Sequence, residues 1–443
     1  MLIQTIPFMV ILCFFLLNLL IKKKFFCISC LSLLYVLLAF GGSIYIYSFP
    51  RSGESFVDLE AMLFLAVCMA FLCVPALFFK DTETDHCLLT PSYCKLKNIG
   101  FLFIIIGFPV SLFYFLRAFP YLFQYLSNFQ DINRDDFRET LSFDTVEENP
   151  FILLVQLLGS IDFAVLFLLI VSILFLKEKK NKFYLFLLAF SGAGYCFDSL
   201  KYAARAFLYQ RITFIACCTM ILYGFSGVVE KQILRKAMCW LGSLLIIPLS
   251  VITFARFNKN LFYALVSYFS TGPYSFSCDY VARTQYTLPS LKGLMTHGFF
   301  SSLIDKFFGF NFYEQGITAL KDLSDSNSET YWVYRDISGG YSGEFKTIVG
   351  SFLIDHSVTY ALVLCMLMCY FFSHIFSIEK KMYGFSTCLV GTIYFHILVN
   401  APMGAVFVSR AGNLELICLF LFAAVLRYYE LRQERCPNAL LIS

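Results

Sequence analysis

Between Arg256 and Glu344 the chain reads Arg-Phe-Asn-Lys (256–259), Tyr-Phe-Ser-Thr-Gly-Pro-Tyr-Ser-Phe-Ser-Cys-Asp-Tyr (268–280) and Tyr-Arg-Asp-Ile-Ser-Gly-Gly-Tyr-Ser-Gly-Glu (334–344). This is the longest run with no credible membrane span. Almost everything on either side is apolar enough to lie in a bilayer. A long loop without a job is uncommon, so the work of the chain is expected in this excursion or at its root.

The flanks set the class. Of 443 residues 59% are hydrophobic and only 14% are charged, with 54 Phe, and the mean hydropathy is +0.73. Ordinary soluble domains run near a quarter charged. Runs of about 20 apolar residues recur, each long enough to cross ~30 Å of hydrocarbon as a helix. They are continuously apolar rather than alternating, which excludes a β-barrel. An all-α polytopic membrane protein is therefore expected. The net charge of +4 is small and points to no nucleic-acid partner. The 17 cysteines sit mostly in apolar runs and read as small buried residues, although Cys87 and Cys94 flank a polar loop and could pair.

The spans are expected at 2–21, 25–48, 60–79, 99–118, 151–176, 183–197, 206–226, 238–255, 358–377, 384–400 and 411–428. That makes about eleven, with boundaries good to a few residues. Lys22-Lys23-Lys24 follow the first run, no basic residue precedes it, and no small-residue cleavage site appears. A retained helix with its N-terminus outside is expected, not a signal peptide. Every short inner loop is then basic: 22–24, 80–97, 177–182, 231–236, 380–381 and the tail. This obeys the positive-inside rule and puts the C-terminus in the cytoplasm. The expected divisions are an N-terminal bundle at 1–255, a large outer loop at 256–357, and C-terminal spans with a short tail at 358–443. No internal repeat is evident, which weakens a transporter built from inverted halves.

On that topology the outer face carries arginines at span ends: Arg205, Arg256, Arg283, Arg335 and Arg410, with Lys201 and Arg211 near the first. Arginine suits a bidentate grip on phosphate oxygens. As a set these residues fit a pyrophosphate held on a lipid tail. Singly, each could snorkel to headgroups or pair with Asp198, Asp279 or Asp336. Within the loop, 257–271 reads as an amphipathic helix on the membrane, ended by Gly272-Pro273. A second helix follows through Phe276, Tyr280 and Arg283, then a helical lid over 290–321. Residues 346–356 form an apolar helix too short to span. Aromatics such as Tyr334, beside Gly339, Gly340 and Gly343, suit a sugar ring.

Acid–base candidates are Asp336, Glu344, His356 and Asp279. Asp336 leads, because it adjoins Arg335 and a glycine cluster; His356 is a base or a helix cap. No outward Asp-x-Asp, His-x-x-x-His or Cys-x-x-Cys pattern indicates a metal. His374 and His396 lie inside spans and read as packing or polar contacts.

Five short stretches carry a family resemblance: Ala-Ala-Arg-Ala (203–206), Thr-Phe-Ala-Arg (253–256), Tyr-Phe-Ser-Thr-Gly-Pro (268–273), Tyr-Arg-Asp-Ile-Ser-Gly-Gly-Tyr-Ser-Gly (334–343) and Ser-Arg (409–410). Their order and placement resemble the O-antigen polymerase family, the Wzy-type oligosaccharide repeat unit polymerases of the bacterial inner membrane. Glycine is more usual before the arginine of the first motif. The resemblance implies a metal-independent membrane glycosyltransferase of GT-C-like architecture, with no cofactor. It would transfer a growing glycan from undecaprenyl pyrophosphate to the next undecaprenyl-pyrophosphate-linked repeat unit at the periplasmic face. By position it assigns donor phosphate to Arg205, Arg256, Arg283 and Arg410, with Arg335 added to that set. Tyr268 and Tyr334 fall in its motifs as substrate contacts. A chain-length-determining co-polymerase is the partner it implies.

Two alternatives share these features. An O-antigen ligase has similar topology and would transfer the glycan to a lipid A core. A lipid-linked oligosaccharide flippase would have short outer loops and more mid-span charge than Asp162 and Glu415 supply. A structural subunit without chemistry leaves the outer arginines unexplained.

Overall fold

A computed structural model describes residues 3–23, 27–47, 57–80, 93–127, 150–175, 182–201, 205–226, 228–256, 266, 269–285, 290–326, 347–378, 384–404, 406–407 and 409–435. These residues are almost entirely helical. Six helical stretches are long and apolar enough to cross a membrane: Thr5–Lys22, Ile28–Tyr45, Leu59–Phe78, Leu96–Pro120, Leu157–Leu174 and Val358–Ser377. The other five expected spans also fall in helices; of these Lys182–Ser191 and Phe385–Asn400 are apolar but only 10 and 16 residues long. Arg211 lies inside Arg205–Gly224, and Glu230, Lys231, Arg235 and Lys236 inside Val228–Arg256. Lys182–Ser191 stops where Gly192 and Ala193 intervene, and the chain resumes as Gly194–Lys201. The expected 151–176 span is two helices, Pro150–Gly159 and Asp162–Phe175, parted at Ser160 and Ile161.

The chain folds into two compact units, interleaved in sequence. The first comprises 1–81, 260–380 and 394–413; the second comprises 82–259, 381–393 and 414–443.

In the first unit, helix Leu59–Phe78 packs against both Thr5–Lys22 and Val358–Ile378. Its buried residues include Ala61, Leu65, Cys68, Leu72 and Ala76, spaced three or four apart, as a single buried face requires. Small residues on that face let backbones approach, the usual device where lipid supplies no hydrophobic drive between helices. Asp58 caps the helix by accepting from the Ala61 amide at 2.9 Å. Helix Gly272–Gln285 joins this cap: Ser277 Oγ accepts from the Asp58 amide at 2.9 Å, and the Tyr280 hydroxyl donates to Glu60 at 2.9 Å. Gly272 has a reason to be glycine, because a Cβ there would sit 1.9 Å from the Pro402 carbonyl oxygen. The helix expected through Phe276, Tyr280 and Arg283 is thus present, and Gly272-Pro273 begin it. The expected lid is two helices, Leu294–Phe308 and Phe312–Ser326. Gly309, at φ +70°, turns between them, and Asp305 caps the second by accepting from the Phe312 and Tyr313 amides at 2.8 and 2.6 Å. Residues 257–265 and 267–268 of the expected interfacial helix lie outside the described residues.

In the second unit, Arg211, Glu415 and Asp162 are all buried. Arg211 donates to Glu415 Oε1 at 2.5 Å and stands 4.2 Å from the Phe163 ring centre. Asp162 accepts from the Tyr195 amide at 2.9 Å, so the helix break after Gly159 has a carboxylate at its far side. A Cβ on Gly194 would meet both Asp162 oxygens at 3.4 Å.

Candidate functional site

The short helix Ile348–Asp355 is apolar and fully buried, and it ends in a buried carboxylate followed by His356. Both expectations for this segment hold: it is too short to span, and His356 occupies the C-cap. Helix Leu294–Phe308 packs against it. That helix begins after Gly293, which has no side chain with which to cap it. Asp355 does so from the neighbouring helix. Its Oδ1 accepts from the Met295 amide at 2.9 Å, and its Oδ2 from the Thr296 amide and hydroxyl, each at 2.6 Å. A carboxylate at a helix N-terminus satisfies donors that would otherwise be orphaned and complements the helix dipole. Burial raises the Asp355 carboxyl above the usual carboxylate range, while these hydrogen bonds pull it back.

One turn into this helix the backbone kinks at His297, with φ −139° and ψ +31°. Asn413 takes up backbone groups around the kink. Its amide nitrogen donates to the Thr296 carbonyl at 3.1 Å, and its oxygen accepts from the Phe299 amide at 3.1 Å. The kink brings the His297 ring to His356. Their Nε2 atoms are 3.2 Å apart, with ring centres 5.4 Å apart and planes 27° from parallel, so the rings meet edge to edge. His297 Nδ1 lies 2.9 Å from Ser301 Oγ. Tyr360 packs edge-on against His356 with ring centres 4.5 Å apart, and its hydroxyl reaches Thr296 Oγ1 at 2.8 Å. Gly293 sits at φ +79°, and a Cβ there would strike the His297 ring at 1.8 Å. Glycine at 293 is therefore required twice, by conformation and by space.

Arg283 enters from helix Gly272–Gln285, which also packs on Ile348–Asp355. Its guanidinium donates to the Ile354 carbonyl at 2.7 Å, and half-burial lowers its affinity for the proton. His356 stands in the field of Arg283 and Lys292 as well as that of His297. Burial, the first cause, then His297 where it carries a proton, and the two cations depress the imidazole below its usual range, against the opposing pull of Asp355. His356 is thus an imidazole biased toward its neutral form beside cations, a combination chemically suited to proton abstraction next to an anion.

Of the residues expected at the site, Arg283 and His356 come together here. Asp279, buried on the Arg283 helix, contributes to the charge around that guanidinium. Arg205 opens helix Arg205–Gly224, Arg256 ends Val228–Arg256, and Arg410 is the second residue of Ser409–Arg435; their side chains are outside the described residues. Tyr268, Tyr334, Arg335, Asp336 and Glu344 also lie outside them. His297, Thr296, Lys292, Tyr360 and Asn413 were not singled out from sequence. The one available signal was Lys292-Gly293 ahead of a polar Thr-His pair. His396 is fully buried beside Asn400, and His374 stacks on Tyr370, as expected of span residues. Among the described residues, no group of three or more His, Cys, Asp and Glu is placed to hold a metal ion. The chain matches no family model, no curated protein and no solved structure.

Proposed function

We propose that this protein is a membrane glycosyltransferase that extends a glycan carried on a polyprenyl diphosphate, with His356 as base and Arg283 and Lys292 on the diphosphate. The observation that supports this reading is the His356 imidazole set 3.2 Å from His297 and in the field of Arg283 and Lys292, in a segment expected outside the membrane. The resemblance noted from sequence supports the same chemistry and supplies the substrate: one undecaprenyl-diphosphate-linked glycan as donor and another as acceptor.

In the reaction, the acceptor hydroxyl gives its proton to His356 as its oxygen attacks the donor anomeric carbon. A new C–O glycosidic bond forms, and the bond from that carbon to the phosphate oxygen breaks. Its electron pair leaves on the diphosphate. Guanidinium and ammonium groups stabilise that charge as it develops, which is where electrostatic catalysis acts most strongly. Cations near the imidazole favour its neutral form before substrate arrives. The bound diphosphate then opposes them, which strengthens the base when it is needed.

The test uses full-length protein in nanodiscs with purified polyprenyl-diphosphate oligosaccharide. Longer lipid-linked glycans and free polyprenyl diphosphate are expected, and His356→Ala should lower the rate by about 10²–10⁴. Transfer only to added lipid A core would replace the polymerase with a ligase. No product, with movement of the lipid-linked glycan between leaflets, would leave a flippase. In the native host, loss of the gene should leave single repeat units on the core.

A further inference from the structure

The hydrogen bonds around the histidine pair bear on which nitrogen of His356 acts, given the reading of His356 as base. A backbone carbonyl can only accept. The Ser301 hydroxyl reaches the Lys292 carbonyl at 3.5 Å as donor. Donating there, Ser301 Oγ meets His297 Nδ1 at 2.9 Å as an acceptor, and Nδ1 then carries the His297 proton. A neutral imidazole holds one N–H, so His297 Nε2 presents a lone pair to His356. His356 must then donate from Nε2, and its own lone pair stands on Nδ1. Among the described residues, His356 Nδ1 has no hydrogen-bond partner. We infer that His297 is a positioning residue that fixes the tautomer of His356, through the chain His356 Nε2–H to His297 Nε2, His297 Nδ1–H to Ser301 Oγ, and Ser301 O–H to the Lys292 carbonyl, and so makes Nδ1 the atom that takes the acceptor proton.

The groups facing this pair are Asp355, Lys292, Arg283 and Tyr360. None competes for the two facing nitrogens. The Asp355 oxygens are engaged by Met295 and Thr296, and the Arg283 guanidinium donates to the Ile354 carbonyl. After transfer, the His356 imidazolium still donates through Nε2, and His297 still accepts. The pair therefore takes up one proton without rearranging. A second proton would put two N–H groups against each other across 3.2 Å.

The experiment is nitrogen-15 NMR of the full-length protein, labelled at histidine, in detergent at neutral pH. Signals are assigned by His297→Gln and His356→Gln. For His356 the expected spectrum has a protonated Nε2 and an unprotonated Nδ1. For His297 it has the reverse. In Ser301→Ala the His356 signal should become a mixture of tautomers. A protonated His356 Nδ1 in the wild type overturns the inference, as does a Ser301→Ala spectrum identical to wild type. On activity, His297→Leu should slow chain extension about 10-fold, a part of what the base itself contributes. His297→Gln keeps an acceptor for His356 and should restore most of that loss; equal defects in the two variants also overturn the inference. If instead the spectra are as expected while His356→Ala extends chains normally, the catalytic reading has failed and the tautomer assignment stands.

Discussion

His356 carries a pH dependence whose sign can be worked out. With His356 as the proposed base the neutral form is the competent one, so the rate should rise as pH rises through its ionisation. Burial, the charge of His297 where it is protonated, Lys292 and Arg283 lower that ionisation in the free protein. The rising limb of kcat/KM should therefore lie below the ordinary imidazole value of about 6.5. The limb of kcat reports the substrate complex and should lie higher, because a bound diphosphate offsets the cations. Initial rates across pH 5–8, with substrate below and above saturation, measure both. A kcat/KM limb at or above about 6.5 would remove His356 as the base. Sequence alone made His356 a candidate, because an Asp-His pair at the end of a short apolar helix is visible as a string. It could not show His297. The two rings come from segments 59 residues apart, and they meet only because the backbone breaks its helical geometry at His297. Propensity does not foretell such a kink, because Asn413, which takes up the backbone groups around it, lies 117 residues on from Thr296.

At the scale of elements, two buried polar devices hold helices in place. In Asn413→Leu the Phe407 and Thr296 carbonyls and the Phe299 amide lose their Asn413 partner. The expected cost is about 1–3 kcal/mol for each buried group left unsatisfied. A melt of the detergent-solubilised protein reads it, and His297 should lose its nuclear Overhauser contact to His356. A variant with wild-type stability and the contact intact would show that Asn413 does not hold the kink. The second device is Arg211 with Glu415. Removing one partner from a buried ion pair strands the other charge, so Arg211→Met or Glu415→Leu alone should cost about 3–5 kcal/mol. The double variant should recover most of that, because burying two apolar side chains of similar volume is often neutral. Additive single losses in the melt would deny the coupling. Hydropathy made these helices legible but not their interruptions. The break at Ser160 and Ile161 is invisible to a window average, since both neighbours are strongly apolar. The local string Gly159-Ser160-Ile161-Asp162 did hold the signal, a glycine to stop one helix and an acid to begin the next.

At the scale of the whole chain, orientation is the premise on which the chemistry depends, and it is read from charge. The basic clusters Lys22–Lys24, Lys177–Lys182, Lys231–Lys236 and Lys380–Lys381 recur at the ends of apolar runs, and an alternating thread that keeps them on one side also leaves residues 256–357 on the other. Among the described residues six helical stretches meet the length and apolarity of a span, and Lys182–Ser191 and Phe385–Asn400 are apolar but shorter, so the number of crossings and the sides they join both need a direct test. Charged helices do cross membranes when their charges are buried and paired, as Arg211 and Glu415 are. Reporter fusions decide the matter. An enzyme active only outside the cytoplasm, inserted between Asp322 and Thr330, should be active, and the same enzyme fused after Lys381 or after Lys182 should be silent. A cytoplasmic reporter should give the opposite pattern. Activity of the external reporter after Lys182 together with silence in 322–330 would invert the protein. His356, Arg283 and Lys292 would then face the cytoplasm, away from the leaflet where a glycan polymerase meets its lipid-linked substrate, and the proposed reaction could not occur at this site.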